Sequence, residues 1–308
     1  MEPIKPIDIK KNMKINDLVK QMSDAGFGAK KIARATEIFE MMVKDKDCKI
    51  FLGLAGAMVP AGMKKIIIDM INDGFVHVLV TTGANLTHDL VEALGHKHYK
   101  GNEYADDAEL NKKGIVRMYD VYMEQNVYED LEKFINSNYG TLSKCKNIRE
   151  FLTELGRLAP EGSLINTCYK KNVPVFSPAI SDSGIGLMIW NNIVNGKGTD
   201  VNTFDDLKEI LDIVWTAKKT GFLYLGGGVP KNYIQQALQF GKEADYGIQI
   251  TMDRVETGGS SGAPIQEGIS WGKMKPEGTF VNVYCDTTIA LPLIYASVKD
   301  RVKSTTQP

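Results

Sequence analysis

The sequence predicts an α/β fold built on a doubly wound, mostly parallel sheet. Short apolar runs recur along the chain, and most of them end in small residues and lead into an amphipathic helix. Strand, glycine-rich turn and helix in repetition are the pattern of a parallel sheet with helices on both faces. Hydrophobic residues make up 43% of the 308 residues and charged residues 24%, which is typical of a globular protein.

Two amphipathic helices are predicted ahead of the first strand. Residues 16–22 form a short one, and residues 30–43 place Ile32, Ile38 and Phe39 on one face at helical spacing. We expect residues 1–47 to form an N-terminal helical arm that packs on the outside of the main fold. Residues 48–308 are expected to form the main domain.

Strand-forming runs alternate with helices through the rest of the chain. The predicted strands cover residues 50–54, 76–80, 173–176, 222–225, 246–251 and 279–284, and a final helix covers residues 288–302. Residues 99–161 lack strong strand signals and are predicted to be a mostly helical insertion. Ligands of doubly wound sheets bind at the carboxyl ends of the strands, so we expect the unusual motifs to lie at strand exits.

Three predicted strand exits are rich in small residues: residues 53–62, Thr82-Gly83-Ala84 and Gly226-Gly227-Gly228. Glycine lets a backbone approach a flat or phosphorylated ligand, and the helix N-terminus that follows favours anions. An isolated triple glycine is better explained as a tight turn, but three small-residue exits in one sheet favour a nucleotide site. Asp182 and Asp286 each follow a strand, where a carboxylate holds ribose hydroxyls or caps the next helix.

A short run near the C-terminal end, Glu267-Gly268-Ile269-Ser270-Trp271-Gly272-Lys273, joins a carboxylate, a large aromatic ring and a lysine. Desolvation against an apolar wall disfavours a charged amine, and a neutral amine forms Schiff bases. The run therefore makes Lys273 a candidate nucleophile and Glu267 a candidate acid or base. A surface lysine lying on an exposed ring is the alternative.

His88 follows the second strand exit at a predicted helix start and is a candidate proton shuttle. His77 alternates inside a strand, which favours a structural role. No metal site is predicted, because neither His96 and His98 nor the cysteines have ligand spacing. The four cysteines, which form no CxxC pair and are expected to be reduced thiols, are Cys48, Cys145, Cys168 and Cys285.

Charge and targeting signals narrow the class of protein. The formal net charge of −1 gives no strong field, so binding of nucleic acid is not expected. The N-terminal residues lack the apolar segment of a signal peptide, and no apolar run reaches the roughly 18 residues that a membrane helix needs. We therefore expect no membrane association and a cytoplasmic location.

Several motifs resemble those of the deoxyhypusine synthase family, and the likeness extends over nearly the whole chain. The matching pieces are Glu267 to Lys273, Val80-Thr81-Thr82-Gly83, Val173-Pro174-Val175-Phe176-Ser177-Pro178-Ala179, Asp182, Gly226-Gly227-Gly228-Val229-Pro230-Lys231 and Tyr284-Cys285-Asp286. The chain looks like a divergent archaeal or bacterial branch of this family.

The resemblance implies a Rossmann-like domain in a homotetramer with active sites at subunit interfaces. NAD would take a hydride from spermidine, and the 4-aminobutyl group would pass through an imine on Lys273 to a lysine of the precursor of translation initiation factor 5A. By resemblance Glu267, Trp271 and Lys273 are expected to be catalytic, and His88 is added from its position.

The resemblance also gives expectations for the binding residues. The residues expected to bind NAD are Gly56, Ala57, Met58, Val59, Pro60, Thr82, Gly83, Ala84, Asp182, Gly227, Met252, Asp253, Asp286 and Thr287. The residues expected to bind substrate are Asn232, Gly258, Gly259, Ser260, Glu267 and Trp271.

The polyamine pocket departs from the family pattern. Where well-known members carry further acidic residues and a histidine, this chain has Leu187, Asn232, Thr257 and Ser260, and Thr87 and His88 replace a glutamate pair. Fewer carboxylates weaken the capture of a polycation or change which amine fits. Three alternatives therefore stay open: transfer to putrescine as in homospermidine synthases, agmatine as the donor, or a non-catalytic NAD-binding relative.

Overall fold

The computed structural model describes residues 1–303, and its strands and helices follow the predicted alternation. The strands are β1 Cys48–Leu54, β2 Val78–Thr81, β3 Tyr99–Lys100, β4 Ile115–Met118, β5 Val121–Glu124, β6 Val175–Phe176, β7 Lys219–Leu225, β8 Ala244–Thr251 and β9 Met274–Tyr284. The α-helices are α1 Ile15–Met22, α2 Phe27–Lys44, α3 Lys64–Asn72, α4 Gly83–Ala93, α5 Asp107–Lys112, α6 Val127–Leu142, α7 Ile148–Leu158, α8 Leu164–Lys170, α9 Gly184–Val194, α10 Asp205–Thr216, α11 Gly228–Phe240, α12 Glu267–Ser270 and α13 Thr287–Lys303.

The chain divides into two compact units. The first unit comprises Met1–Leu54, Gly74–Val78 and the described residues from Glu209 onward. The second unit comprises Ala55–Asp73 and Leu79–Lys208. The predicted boundary at residue 47 stays a prediction, and residues 304–308 of that predicted domain lie outside the described residues.

The first unit is built on four parallel strands in the order β1, β7, β8, β9. Phe51 of β1 pairs with Phe222 of β7, and Leu223 pairs with Ile248 of β8. Almost every residue of β1 and β7 is buried, as expected for parallel strands that are covered on both faces. Helix α2 packs on β8 and β9, and α1 and α13 pack on each other and on α2.

The second unit contains the parallel pair β2 and β6, in which Leu79 pairs with Val175 and Val80 with Phe176. The six predicted strands are therefore all present, all in parallel pairs, and the predicted α/β class with a mostly parallel sheet is confirmed. Among residues 1–303, no helix is both long enough and apolar enough to cross a membrane.

The prediction for residues 99–161 is only partly right. The segment contains α5, α6 and α7, but strands β3, β5 and β4 also form a small antiparallel sheet in that order. The strands are two to four residues long and mostly half-exposed, so they lack an apolar alternation. The turn between β4 and β5 places Tyr119 at φ 54° without the Asn-Gly or Asp-Gly sequence that announces such hairpins.

Candidate functional site

Lys273 lies at the beginning of a strand. Its carbonyl accepts a hydrogen bond of 3.1 Å from the backbone N–H of Ala244, and the next residue, Met274, pairs with Ala244 at the amino ends of β8 and β9. The expectation that every unusual motif lies at a strand exit is therefore wrong for Lys273. The reason is that β9 begins five residues earlier than its apolar run suggests, with an irregular register between Ala244 and Tyr246.

The segment before β9 brings Lys273 and Trp271 together. Helix α12 ends at Ser270, and Gly272 turns the chain with φ 66°, which lets Lys273 N–H donate to the Gly268 carbonyl at 2.9 Å. Lys273 Nζ then lies 4.9 Å from the centre of the Trp271 ring. The ring is 57% exposed in the single chain, and Glu267 is also exposed.

Lys231 is a buried lysine that sequence reasoning did not single out. Its side chain is 1% exposed, and Nζ donates to Gln249 Oε1 at 2.8 Å and to the Ala263 carbonyl at 2.6 Å. Burial lowers the pKa of Lys231 to about 8, with a further lowering by Lys273 and an opposing effect of Glu267. The only sequence signal was its position three residues after the triple glycine, because burial depends on the whole fold.

Gln249 completes this cluster from β8. The side chain is fully buried, and Nε2 donates to the Ser261 carbonyl at 2.7 Å and to the Gly226 carbonyl at 3.3 Å. Lys231 and Gln249 together fix residues 261–263 against β7, β8 and α11. The same segment continues into the run that carries Glu267, Trp271 and Lys273, so the cluster holds the starting point of that run.

The triple glycine serves close packing. Gly226 and Gly228 have φ of 81° and 56°, which side chains rarely adopt. A Cβ atom at Gly227 would lie 2.3 Å from the Cα of Ser261, so the missing side chain makes room for the returning segment. Helix α11 begins at the third glycine, Gly228, and carries Asn232, which is half-buried.

The exits of β8 and β9 carry the other predicted residues of the first unit. After β8, Met252, Asp253, Gly258 and Gly259 are exposed and Ser260 is half-buried. After β9, Asp286 Oδ1 accepts a hydrogen bond of 2.7 Å from Thr288 N–H, so this carboxylate caps α13. Thr287 is buried.

In the second unit, Asn85 joins two of the predicted small-residue exits. This fully buried side chain donates from Nδ2 to the Gly56 carbonyl at 2.9 Å and accepts at Oδ1 from Val59 N–H at 3.2 Å. Nδ2 also donates to Thr82 Oγ1 at 3.1 Å. The structure thus places Gly56 to Pro60 beside the beginning of α4, with Gly56 and Ala57 exposed. Asn85 was missed because its partners lie far away in sequence.

Gly83, at the beginning of α4, lies against the loop that follows β6. A Cβ atom at Gly83 would lie 2.6 Å from the Ser183 side chain, so the glycine permits close contact with the loop that carries Asp182. Asp182 itself is exposed, and Ser183 caps α9 by accepting from Gly186 N–H. Three groups of residues predicted to bind NAD are therefore neighbours in the second unit: Gly56 to Pro60, Thr82 to Ala84, and the loop that carries Asp182.

His88 lies in the middle of α4 and not at its start, which corrects the prediction. Its ring is 9% exposed, and Nδ1 lies 3.0 Å from Nε2 of His98. Burial, followed by the nearby His98, lowers the pKa of His88 to about 4. His77 has the expected structural role, since Nδ1 accepts from Ile50 N–H at 3.0 Å.

Within residues 1–303, no group of three or more His, Cys, Asp or Glu residues is arranged to hold a metal ion. The cysteines are free thiols; Cys48, Cys145 and Cys168 are buried and Cys285 is half-buried.

The parallel strands with their helices define an α/β protein, and the lysine beside an aromatic ring is its candidate nucleophile. The family model "Deoxyhypusine synthase" matches residues 17–298. The chain therefore belongs to the deoxyhypusine synthase family, whose members are transferases, and the resemblance read from the sequence is confirmed.

Relatives of known name agree with this assignment. "Probable deoxyhypusine synthase 1" of Methanosarcina acetivorans is 47% identical over 97% of this chain and 95% of its own length. "Probable deoxyhypusine synthase 1" of Archaeoglobus fulgidus is 40% identical over 96% of this chain and 97% of its own. A protein of Entamoeba histolytica assigned to the same activity has a solved structure with a TM-score of 0.65, 22% identity and 96% coverage of both chains, which supports the fold.

Proposed function

We propose that this deoxyhypusine synthase uses NAD and spermidine, forms an imine on Lys273, and transfers the 4-aminobutyl group to a lysine of the translation initiation factor 5A precursor. The observation that carries the proposal is the position of Lys273 Nζ, 4.9 Å from the Trp271 ring, within a chain that matches the family model over residues 17–298. Homospermidine synthesis, an agmatine donor and a non-catalytic role rest only on the departures of the polyamine pocket from the family pattern.

Lys273 supplies the nucleophile. Neutral Nζ attacks the carbon of the C=N bond of oxidised spermidine, a new C=N bond forms to Lys273, and the old nitrogen leaves as 1,3-diaminopropane. Trp271 offers a ring face to the cationic fragment. Glu267, exposed on α12, attracts the ammonium groups and stands as the acid or base of this exchange.

NAD, when bound, would accept a hydride from the amine in its oxidised form and return it to the final imine in its reduced form. The residues proposed to hold it in the second unit are Gly56 to Pro60, Thr82 to Ala84 and Asp182, and in the first unit Gly227, Met252, Asp253, Asp286 and Thr287. The second-unit group fits a phosphorylated ligand, because exposed glycine and alanine residues lie beside the N-terminus of the 11-residue helix α4.

The polyamine is proposed to lie against Glu267 and Trp271, with Asn232 and residues 258–260 completing the pocket. The exposed Trp271 ring supports a homotetramer in which subunit interfaces cover the active sites. We place the enzyme in the cytoplasm with its protein substrate. Sedimentation of the purified chain tests the assembly, since a monomer would contradict it.

One assay tests the proposed reaction. The protein is incubated with NAD, spermidine labelled in the aminobutyl group, and either the factor 5A precursor or putrescine. Label on the factor is the expected result, and label only in homospermidine would contradict the acceptor. If no diaminopropane is released, the chain is a non-catalytic relative.

Trapping with borohydride tests the nucleophile. Reduction should fix the labelled fragment on the enzyme, and Lys273→Ala should abolish the adduct. Lys218→Ala is the control, because this lysine is exposed in the same unit and pairs with Asp47. An adduct that survives in Lys273→Ala would show that another amine is the nucleophile.

A further inference from the structure

The loop before the run from Glu267 to Lys273 is held by side chains and not by strand pairing. Residues 258–266 of the first unit belong to no helix or strand of the described structure. The loop is nevertheless partly covered by protein, since Gly262 and Ile265 are buried. Buried backbone groups need hydrogen-bond partners, so side chains have to take the place of a neighbouring strand.

Two of these side chains come from α11 and β8. Gln249 Nε2 donates to the Ser261 carbonyl at 2.7 Å, and Lys231 Nζ donates to the Ala263 carbonyl at 2.6 Å. Lys231 Nζ also donates to Gln249 Oε1 at 2.8 Å. Both side chains are almost completely buried, so the pair has little freedom to move.

Asn282 of β9 holds the end of the loop. Its Oδ1 accepts from Ile265 N–H at 3.0 Å, and its Nδ2 donates to Gln266 Oε1 at 2.6 Å. Ile265 is fully buried, so its side chain and its N–H group are fixed together. Side chains of three neighbouring elements therefore hold the loop at residues 261, 263, 265 and 266.

The backbone carries this fixed position on to Lys273. Glu267 N–H donates to the Pro264 carbonyl at 3.1 Å, and Gly268 N–H donates to the Ile265 carbonyl at 2.9 Å. Helix α12 thus begins on the residues that are held. The Gly268 carbonyl in turn accepts from Lys273 N–H at 2.9 Å, so the path from the three side chains to Lys273 is short and hydrogen-bonded throughout.

The charges agree with this short path. Burial is the main reason that the pKa of Lys231 is lowered to about 8, while Glu267 opposes the lowering and Lys273 adds to it. Such effects weaken with distance, so both charged groups of the run lie within electrostatic range of Lys231. The three side chains and the proposed nucleophile therefore share one small region of the first unit.

We propose that Lys231, Gln249 and Asn282 form a clamp that positions the nucleophile. The clamp holds residues 261–266 and thereby keeps Lys273 Nζ where it can reach the reacting carbon. Its members are positioning residues, which act through the backbone and not by touching the substrate. A misplacement of about 1 Å can cost roughly 100-fold in rate, so the clamp acts on the chemical step. The inference rests on the proposed function, in which Lys273 attacks the oxidised amine.

Gln249→Glu removes one part of the clamp with little change in shape. The carboxylate still accepts from Lys231, but it cannot donate to the Ser261 carbonyl. At saturating spermidine and NAD, and well below Tm, formation of the borohydride-trapped adduct should slow about 10- to 100-fold.

Asn166→Asp is the matched control for this variant. The buried Asn166 amide also donates to a backbone carbonyl, that of Gly156 at 2.9 Å, but it lies in the second unit. The control should form the adduct at the wild-type rate. An equal loss in both variants, or a wild-type rate in Gln249→Glu, would overturn the clamp.

Asn282 allows a test by conservative rescue. Asn282→Leu keeps a branched side chain but removes both hydrogen bonds, and it should slow adduct formation about tenfold. Asn282→Asp still accepts from Ile265 N–H, and the exposed Gln266 amide can turn and donate to the new carboxylate, so its rate should stay near that of the wild type. Equal rates in the two variants would contradict a positioning role.

Amide hydrogen exchange tests the clamp without turnover. In Gln249→Glu the N–H groups of Ile265, Gly268 and Lys273 should exchange faster than in the wild type, because their hydrogen bonds depend on the clamp. Asn166→Asp should leave their protection unchanged. Unchanged exchange in Gln249→Glu would overturn the proposal. If the wild type forms no adduct, the proposed function fails, and the exchange result still decides whether the clamp fixes the run.

Discussion

Tyr224 shows the effect of a single buried hydroxyl group. The ring is fully buried in β7 and stacks on Phe222 with 4.2 Å between centres, while its hydroxyl has no hydrogen-bond partner among the described residues. A buried hydroxyl without a partner costs about 1–3 kcal/mol. Tyr224→Phe should therefore increase the free energy of unfolding by roughly 1 kcal/mol, and thermal unfolding should show a higher Tm.

Tyr139→Phe is the matched control with the opposite sign. The Tyr139 hydroxyl lies 3.1 Å from the carbonyls of Lys197 and Gly198, so its removal should lower Tm. A decrease of Tm in Tyr224→Phe as well would show that the hydroxyl of Tyr224 is satisfied.

His88 should make stability depend on pH. Its pKa is lowered to about 4 by burial and by His98, so between about 6.5 and 4 the unfolded chain binds more protons at this position. The contribution of neutral His88 is complete above pH 6.5 and is lost as the pH falls towards 4, by up to about 3 kcal/mol. Thermal unfolding at pH 4.5 and 7.5 should show this loss in the wild type and a smaller one in His88→Gln.

Single residues also show what sequence can predict. Lys273, Trp271 and Glu267 could be chosen as candidate site residues because a carboxylate, an aromatic ring and a lysine lie within seven residues. Lys231 and Asn85 were not, because an ordinary lysine and asparagine become notable only when burial removes water and distant backbone groups replace it. The helix-capping alternative for Asp286 describes its observed hydrogen bond, a distinction that depends on backbone geometry.

At the scale of elements, Lys231 connects α11 to the segment that leads to Lys273. Its pKa of about 8, against 10.5 for an ordinary lysine, means that the unfolded chain binds more protons between these values. Stability should rise with pH across that interval, by up to about 3 kcal/mol relative to Lys231→Met. Urea unfolding of both proteins at pH 7.5 and 10 measures the difference.

Lys218→Met provides the reference for this comparison, because the side chain of Lys218 is 76% exposed whereas that of Lys231 is buried. If Lys231→Met and the wild type gain stability in parallel, the ammonium group of Lys231 is not desolvated as the structure indicates.

Strands and helices could be predicted from the sequence where buried residues form a clear apolar pattern. The six parallel strands and the final helix were found from apolar runs and their small-residue exits. The early start of β9 was not predicted. Residues 274–278 include Lys275, Pro276 and Glu277, a composition that favours a loop. The hairpin of β4 and β5 was missed for a similar reason, since its residues are half-exposed.

At the scale of the whole molecule, periodicity establishes that a strand is buried but not which strands it joins. The chain passes between its two compact units at residues 54–55, 73–74, 78–79 and 208–209, and the predicted alternation of strands and helices continues across all four points. Family membership, by contrast, was recognisable from motifs between Val80 and Asp286, and the family model matches residues 17–298.

We infer that positions after β8 take part in the choice of amine. Thr257 is exposed and Ser260 is half-buried, and both are among the four positions at which the resemblance implies acidic residues or a histidine. An added carboxylate attracts a polycation by about 0.2–1 kcal/mol at such exposed sites. Thr257→Asp and Ser260→Asp should each lower KM for spermidine by up to about fivefold, with little change in kcat and a smaller effect at high salt.

Asn111→Asp adds the same charge at an exposed position of the second unit and separates local from overall electrostatics. It should leave KM unchanged, because Asn111 is not among the residues proposed to bind the amine. If all three variants behave alike, residues 257–260 do not face the amine, and the donor is selected elsewhere. If only agmatine gains affinity in Thr257→Asp and Ser260→Asp, the donor in this chain is not spermidine.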